Sequence, residues 1–242
     1  MAISLRLTSR KTSMRGLCLA GLLLLVPGGF ALAAVEQHRY QESTGDQTTQ
    51  FEWSVEHQAG GIRILASDPG RDFMTVCDSA GATSGWRVQD AERDITAQRS
   101  GDRIILRGTR TGRPYAEDIT LDGAPWYQAI SYSLRAWLAG DAQQAEFWTL
   151  RPDTLEAVKL RAERVGMETV DTRAGAVRAV HVRLRANGLL APFWKADYWF
   201  RAEDLVFLKY HAVNGLPGTP PTIIELLPDS RASQDGGEPV GL

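Results

Sequence analysis

The chain has 242 residues, a hydrophobic fraction of 43% and a formal net charge of −2. Residues 1–33 contain four basic and no acidic side chains, so the remaining chain holds 23 Lys and Arg against 29 Asp and Glu. This acidic excess argues against nucleic acid as a partner. Cys77 is the only cysteine after residue 33, which excludes an internal disulfide, so burial in one sizeable core must supply the stability.

The N terminus is typical of a secretory signal peptide. Four basic residues precede the apolar run 17–26, and Ala31-Leu32-Ala33 supplies the small residues that signal peptidase needs. The run has about ten residues, fewer than the roughly 20 that span a bilayer as a helix. Cys18 lies near the start of the run, whereas a lipoprotein signal has its cysteine at the end. We therefore expect residues 1–33 to be cleaved and the mature protein to be periplasmic, neither lipidated nor integral to the membrane.

Short strands separated by turn signals predominate between Glu36 and Leu121. Residues 41–50 are predicted as a loop or a solvated strand end, and Phe51-x-Trp53-x-Val55 is the first clear alternation. Turn-forming clusters then recur about every 8 to 12 residues, which is the spacing of an antiparallel meander rather than of alternating strands and helices.

One amphipathic helix interrupts the meander at residues 125–139. Pro125 suits the first turn of the helix and Gly140 its C-terminal cap. An apolar stripe with helical spacing is formed by Trp126, Ile130, Leu134, Trp137 and Leu138. The stripe must be buried, and a sheet face is the large apolar surface available to it.

The clearest strand pattern lies between Val177 and Leu226. Val180, Val182 and Leu184 alternate with polar residues, as expected when one sheet face is buried and the other is solvated. A hairpin follows, with apolar side chains alternating on both arms and a polar turn at residues 201–204. The polar, glycine-containing tail 229–242 is predicted to be disordered.

These elements predict a mainly β protein with a single domain at residues 34–228. About ten to twelve strands should form a strongly bent antiparallel sheet, an incomplete barrel that wraps the helix. The helix stripe is expected to pack on the row that contains Tyr198 and Phe200, or on its neighbours.

The closing pattern resembles that of a known family. It comprises Trp194-x-x-Asp-Tyr-Trp-Phe200, the strand Leu205–Tyr210, Gly215-x-x-Gly-Thr-Pro220 and the strand Ile223–Leu226. With the signal peptide, the meander and the helix, this pattern resembles uncharacterised bacterial periplasmic domains of unknown function. Those domains are similar in turn to the lipoprotein-sorting and lipoprotein-carrier half-barrels of the Lol type. The resemblance implies a concave, apolar inner face partly covered by helix, and no catalytic residues.

Residues suited to catalysis or metal binding are scattered along the chain. His38, His57, His181 and His211 lie far apart without paired spacing, and Cys77 lacks a serine- or cysteine-hydrolase motif around it. The sequence also has no phosphate-binding loop and no dinucleotide fingerprint. We therefore predict no enzyme activity, no cofactor and no metal site.

Aromatic side chains are the most informative candidates for binding. They either line a ligand cavity on the concave face or fill it as core. The predicted lining residues are Trp126, Ile130, Leu134, Trp137, Tyr198, Phe200, Leu208 and Tyr210. The leading hypothesis is a periplasmic binding or carrier module for an apolar ligand, a lipid or a lipoprotein segment. The alternatives are a cell-envelope interaction module with a solid core and an envelope hydrolase that uses Cys77 and the histidines.

Overall fold

A computed structural model describes residues 35–173, 175–187, 194–213 and 219–228. The expected signal peptide at residues 1–33 and the expected disordered tail at 229–242 lie outside the described residues. So does most of the Gly215-x-x-Gly-Thr-Pro220 segment of the closing pattern.

Fourteen strands form one antiparallel sheet. The strands are β1 (Val35–Thr44), β2 (Gln47–Gln58), β3 (Gly61–Asp68), β4 (Arg71–Cys77), β5 (Thr83–Asp90), β6 (Arg93–Ser100), β7 (Arg103–Arg110), β8 (Arg113–Thr120), β9 (Gln144–Leu150), β10 (Ala157–Thr172), β11 (Gly175–Ala186), β12 (Lys195–Arg201), β13 (Phe207–Ala212) and β14 (Thr222–Leu226). Their order across the sheet is β8-β7-β6-β5-β4-β3-β2-β1-β14-β13-β12-β11-β10-β9. The first and last strands of the chain therefore meet in the middle of the sheet, and β8 and β9 lie at its ends.

The mainly β fold with an unclosed antiparallel sheet and a single described helix is confirmed, but the predicted ten to twelve strands were too few. Residues 41–50, predicted as a loop or a solvated strand end, belong to the ends of β1 and β2, which are joined by a turn at Gly45 and Asp46. Gly45 adopts a φ of +57°, which permits this tight turn between two polar strand ends. The sequence left both alternatives open because residues 45–50 are exposed and show no apolar alternation.

The helix α1 (Ile130–Leu138) is shorter than the predicted helix at 125–139. Residues 125–128 run along the outer edge of β9 instead. The Trp148 N–H donates to the Pro125 carbonyl at 2.8 Å, and the Tyr127 N–H donates to the Trp148 carbonyl at 2.8 Å. Trp126 is therefore not part of the helix. The backbone groups of its neighbours Pro125 and Tyr127 form hydrogen bonds with β9 instead.

Residues 121–129, which we call the closing segment, join the two ends of the sheet. The closing segment pairs with β9 and also contacts β5, where the Thr83 N–H donates a hydrogen bond to the Trp126 carbonyl at 2.7 Å. The Arg93 guanidinium of β6 also donates to the Pro152 carbonyl in the β9–β10 loop. Because these strands lie far apart in sheet order, the sheet must curve strongly to bring them together.

Two apolar clusters fill the space that the curved sheet encloses. The larger one combines Leu134 and Leu138 of α1 with inward-facing residues of β1–β4 and β9–β13, among them Val182 and Phe200. The second contains Trp126, which is fully buried between β5–β7 and the end of β9. The helix stripe and the Phe200 row thus belong to one core cluster, and the closing segment belongs to the other.

Trp126 should be among the most destabilising positions to truncate. We expect Trp126→Ala to lower the free energy of unfolding by about 3–5 kcal/mol, since it opens a large cavity between the two ends of the sheet. The control is Trp199→Ala, which removes a half-buried ring from the outer face of β12 and should cost clearly less. Urea denaturation at neutral pH measures both, and equal losses would contradict the closing role of Trp126.

Candidate functional site

The concave face of the sheet holds a cavity of about 600 Å³. Its walls come from β1–β4, β12–β14, the closing segment, the first turn of α1 and the β9–β10 loop. The lining residues are Tyr40, Glu42, Phe51, Trp53, Ala66, Arg71, Gln128, Ile130, Ser131, Pro152, Asp153, Tyr198, Phe207, Tyr210, Thr222 and Ile224. A concave, largely apolar space of this size lies in the ~300–1,000 Å³ range of small-molecule sites.

Strand register explains why these side chains share one face. Tyr40 on β1 is directly opposite Phe51 on β2, and Glu42 is directly opposite Ile224 on β14. Successive side chains on a strand alternate between the faces, so residues two apart, such as Tyr40 and Glu42, both point inward. The cavity wall is therefore a direct consequence of strand pairing around β1.

Aromatic rings form the deep part of the cavity. The rings of Tyr198 and Tyr210 meet edge to face with centroids 5.0 Å apart, and Tyr198 is 5.7 Å from Phe207. Tyr40 stacks on Phe51 at 5.4 Å, and its hydroxyl donates to the Phe207 carbonyl at 3.1 Å. Burial raises the pKa of Tyr198 well above its usual value, so this phenol stays neutral. The deep wall is thus aromatic and uncharged.

Charged and polar groups gather in another part of the cavity wall. Arg71 donates two hydrogen bonds to Asp68, at 2.8 and 3.2 Å, and its guanidinium lies 5.0 Å from the centre of the Phe73 ring. Glu42 is half-buried, and burial raises the pKa of its carboxyl group despite the opposing effect of Arg71. The cavity therefore offers a polar region beside an apolar one.

The eight residues predicted to bind do not all reach the cavity. Ile130, Tyr198 and Tyr210 line it. Phe200 and Leu134 are fully buried in the larger core cluster, and Trp126 in the second. Leu208 is 2% exposed and does not line the cavity, and Trp137 packs at the edge of the larger cluster beside Arg164. A ligand-binding role for any of the eight stays a prediction.

Several lining residues were not singled out from the sequence. Phe51 belonged to a recognised strand alternation, but nothing in that pattern told which strands would face it. Tyr40 and Glu42 lie in a polar stretch, and their inward direction depends on pairing with β14, which is distant in sequence. Phe207 pairs with Phe200 next to a bulge in the β12–β13 ladder. The bulge shifts the strand register, so simple alternation does not predict which face Phe207 occupies.

A second groove, of about 740 Å³, lies along the convex face of β1–β5. Its polar lining residues include Gln37, Arg39, Glu52, Ser67 and Arg87. Trp53 and Phe73 also border it, but it lacks the cluster of tyrosine rings that lines the inner cavity.

The candidate nucleophile and the four histidines are not brought together. Cys77 is 1% exposed, and burial raises the pKa of its thiol to about 11, although hydrogen bonds with Thr83 and Ser133 oppose this. Within the described part of the chain, no hydrogen bond, ion pair or ring contact joins Cys77 to a histidine or one histidine to another. A neutral, buried thiol is a weak nucleophile.

His181 belongs to a charged network on the outer face of β10–β12. Its ring lies 2.8 Å from Asp197 and 3.2 Å from Glu168, and it stacks on Trp199 at 4.8 Å. Arg183 donates to the same Asp197 carboxylate at 2.8 Å. Burial opposes ionisation of Asp197, but the hydrogen bonds of His181 and Arg183 outweigh it and lower its pKa. The network cross-links three strands.

Neither a metal centre nor a membrane-spanning helix is found in the described residues. No three His, Cys, Asp or Glu side chains there are grouped so as to hold a metal ion. The same residues include no helix long and apolar enough to cross a bilayer.

The helix is held beside the cavity by contacts at several points. A Cβ atom at Gly81, whose φ is +81°, would lie 2.9 Å from the Ser133 carbonyl, so the β4–β5 turn needs glycine to approach the helix closely. Arg164 of β10 donates to the Leu138 carbonyl at 3.1 Å and lies over the Trp137 ring. These contacts fix both sides of α1.

Arg135 joins the helix to β1. It pairs with Glu36 through two contacts of 2.8 and 2.9 Å, and its guanidinium lies 5.3 Å from the centre of the Trp53 ring. Burial opposes ionisation of Glu36, but hydrogen bonds with His38 and Arg135 outweigh it and lower its pKa from 4.5 to about 2. The pair therefore positions the helix beside Trp53, a lining residue.

Comparison with known proteins identifies a shared fold but no function. No protein-family model matches the sequence. The chain is 25% identical over 167 residues to the ATP-dependent zinc metalloprotease FtsH of Marinobacter nauticus, an alignment that covers 68% of this chain and 24% of that protein. The chain thus spans about a quarter of that relative's length, and the activity in the name is that protein's.

A solved structure shares the architecture. The β-barrel-like protein of the domain of unknown function DUF1849 from Brucella abortus superposes with a TM-score of 0.57 at 9% identity, covering 81% of this chain and 96% of that chain. A Bacteroides fragilis protein described as exported, with a YmcC-like fold, gives a TM-score of 0.32 at 14% identity over 78% of this chain and 92% of that chain, too low to carry an argument. The chain is thus a bent-sheet, β-barrel-like domain of the kind that the DUF1849 structure represents, as the coarser part of the sequence resemblance implied.

Glu36 should stabilise the protein only where it is ionised. We expect Glu36→Gln to lower the free energy of unfolding by about 1–3 kcal/mol at neutral pH, because a charge-assisted contact of Arg135 is lost. Since the folded pKa lies below the unfolded one, this difference is full above pH 4.5 and fades as the pH falls towards about 2. Urea denaturation across that pH range measures it.

Glu56→Gln is the matched control, because Glu56 makes two long contacts at the surface, with Arg63 at 3.7 Å and with Gln58 at 3.5 Å. It should change stability by a few tenths of a kcal/mol, ~0.5 or less. If Glu36→Gln lowers the free energy of unfolding equally at every pH, the carboxylate charge is not what holds the helix.

Proposed function

We propose that the protein is a secreted periplasmic binding or carrier module that holds an apolar ligand, a lipid or a lipoprotein acyl segment in the inner cavity. One observation carries the proposal: the concave face is not filled by its aromatic side chains but leaves about 600 Å³ among them. Ligand sites are typically concave spaces of this size, lined by apolar and aromatic side chains with a few polar groups. An open aromatic cavity therefore favours a ligand.

The composition of the wall supports an apolar ligand. Tyr198, Tyr210 and Phe207 contribute ring faces and edges, and Ile130 and Ile224 add aliphatic surface. Such walls contribute binding free energy through burial of apolar area, on the order of 25 cal/mol per Å². The bent, unclosed sheet agrees with the half-barrel that the resemblance to Lol-type carriers implies, whereas the single described helix departs from the soluble carrier. The signal-like N terminus agrees with a periplasmic site of action.

A cell-envelope interaction module is the second candidate, favoured by an unpaired strand edge. β9 pairs with β10 only over Ala157–Glu163, so residues 165–171 of β10 have a free edge within the described sheet. Val165 and Met167 on this stretch are each 48% exposed. An extended partner segment could add a strand there. Crosslinking in whole cells that recovers no specific envelope protein through this edge would count against the candidate.

Filling the cavity tests the binding proposal. Ala66 lines the inner cavity and also borders the groove, whereas the adjacent Ser67 lines the groove alone. The Ala66 side chain packs against the larger core cluster, and the Ser67 side chain points to the opposite face. We expect Ala66→Trp to weaken binding of a polarity-sensitive apolar dye at least about tenfold, a change of ~1.4 kcal/mol, because the indole occupies the ligand volume. Fluorescence titration of the purified mature protein measures it.

Ser67→Trp is the matched control and should leave dye binding unchanged. Circular dichroism and thermal denaturation confirm that both variants fold. If the wild-type protein binds no dye and mass spectrometry of the native protein recovers no ligand from the periplasm, the proposal fails. If Ser67→Trp rather than Ala66→Trp weakens binding, the convex groove is the site and the proposed cavity is wrong.

A further inference from the structure

We infer that the cavity selects an amphiphile with a cationic head, such as an alkylammonium group, and that Glu42 is the counter-ion of that head. The inference rests on the proposed function and adds the chemical class of the ligand. It follows from the charges on the cavity wall, taken one at a time.

Glu42 is the carboxylate on the wall that has no partner. Its neighbours across the strands are Ile224 and Thr49, neither of which carries a charge. Among residues 35–173, 175–187, 194–213 and 219–228, no hydrogen bond or ion pair to Glu42 is found. A half-buried carboxylate without such a partner is costly, and a ligand cation would remove that cost.

Arg71 does not supply the missing partner. Both of its contacts go to a single oxygen of Asp68, at 2.8 and 3.2 Å, and the Phe73 ring lies against its guanidinium. Since Asp68 already neutralises Arg71, the pair adds little net charge to the cavity wall. Arg71 acts on Glu42 only at a distance, and Asp68 opposes that effect.

Asp153, the remaining acidic lining residue, is likewise paired. Arg151 donates to its carboxylate at 2.9 Å, and the side chain is 62% exposed. The uncompensated charge of the lining residues is therefore the single negative charge of Glu42. Because this carboxylate stands beside an aromatic wall, the ligand that fits best has an apolar body and a positive end.

The aromatic rings suit the apolar body of the ligand, which leaves the head group to Glu42. Tyr210, Tyr198 and Trp53 line the same cavity and provide this apolar surface. A fatty acid of the same length would bring its own carboxylate towards Glu42, which like-charge repulsion opposes. The head group therefore decides between ligands that have equal apolar bodies.

Matched amphiphiles test the inference. We expect the wild-type protein to bind an alkyltrimethylammonium ion at least about tenfold more tightly than the alkanoate of equal chain length, both below their micelle concentrations. Glu42→Gln should remove most of that preference, and Glu42→Lys should reverse it. Glu52→Gln removes a carboxylate from the opposite face of β2 and should leave the preference intact. Isothermal titration calorimetry at neutral pH measures each affinity.

Two outcomes separate this inference from the proposed function. If the alkanoate binds as tightly as the ammonium ion, and Ala66→Trp blocks both, the cavity binds amphiphiles but the role of Glu42 is overturned. If neither amphiphile nor the neutral dye binds the wild-type protein, the cavity is not a ligand site and both proposals fall. Glu42→Gln is close in shape to the wild-type residue and relieves an unpaired charge, so loss of folding is not expected to obscure the result.

Discussion

The contacts that join the two ends of the sheet are the constraint on which the rest of the structure depends. An antiparallel sheet of fourteen strands has two edges, and a flat one would leave its apolar face in water. Trp126, fully buried between β5–β7 and the end of β9, ties those edges together. Because the closing segment pairs with β9 and also bonds to β5, the sheet is held in a curve that its strand pairing alone does not fix.

The curvature creates both a core and a space. Near α1 the enclosed volume is filled by Leu134, Leu138 and Phe200, and near the closing segment by Trp126 and its neighbours. The cavity lies beside the larger cluster, because Tyr40, Phe207 and Tyr210 belong to that cluster and also line the cavity. The Glu36–Arg135 pair holds the helix against β1, so the helix covers one part of the concave face and leaves another part open. The same aromatic side chains thus contribute to the core and to the cavity wall.

Buried and half-buried charged groups on the two faces of the sheet have two different kinds of environment. Most are matched by charge, as with Arg71 and Asp68 or His181 and Asp197. Glu42 differs because it lies on the wall of the open cavity without such a match among the described residues. On the partly buried cavity wall, the unpaired carboxylate of Glu42 would interact strongly with the charge of a ligand. On the solvated convex face, water would screen the same carboxylate.

Local patterns were sufficient to predict the mainly β fold, the apolar alternation of Val180, Val182 and Leu184, and the existence of one helix. Period-two and period-3.6 repeats depend on neighbouring residues, so they can be read without a partner strand. The start of the helix was mispredicted because Trp126 fits a helical stripe as well as it fits a strand-like edge. Only the approach of β9, distant in sequence, decides between the two.

The sequence by itself determined an acidic chain without an internal disulfide after residue 33, rich in strands and aromatic side chains, with a hairpin around residues 201–204. Tertiary structure alone decided that β1 pairs with β14, that Tyr40 and Glu42 line one cavity together with Phe207 and Ile224, and that Cys77 and the histidines stay apart. Long-range strand pairing sets these neighbours, and shifting that pairing by one residue would turn every inward side chain outward.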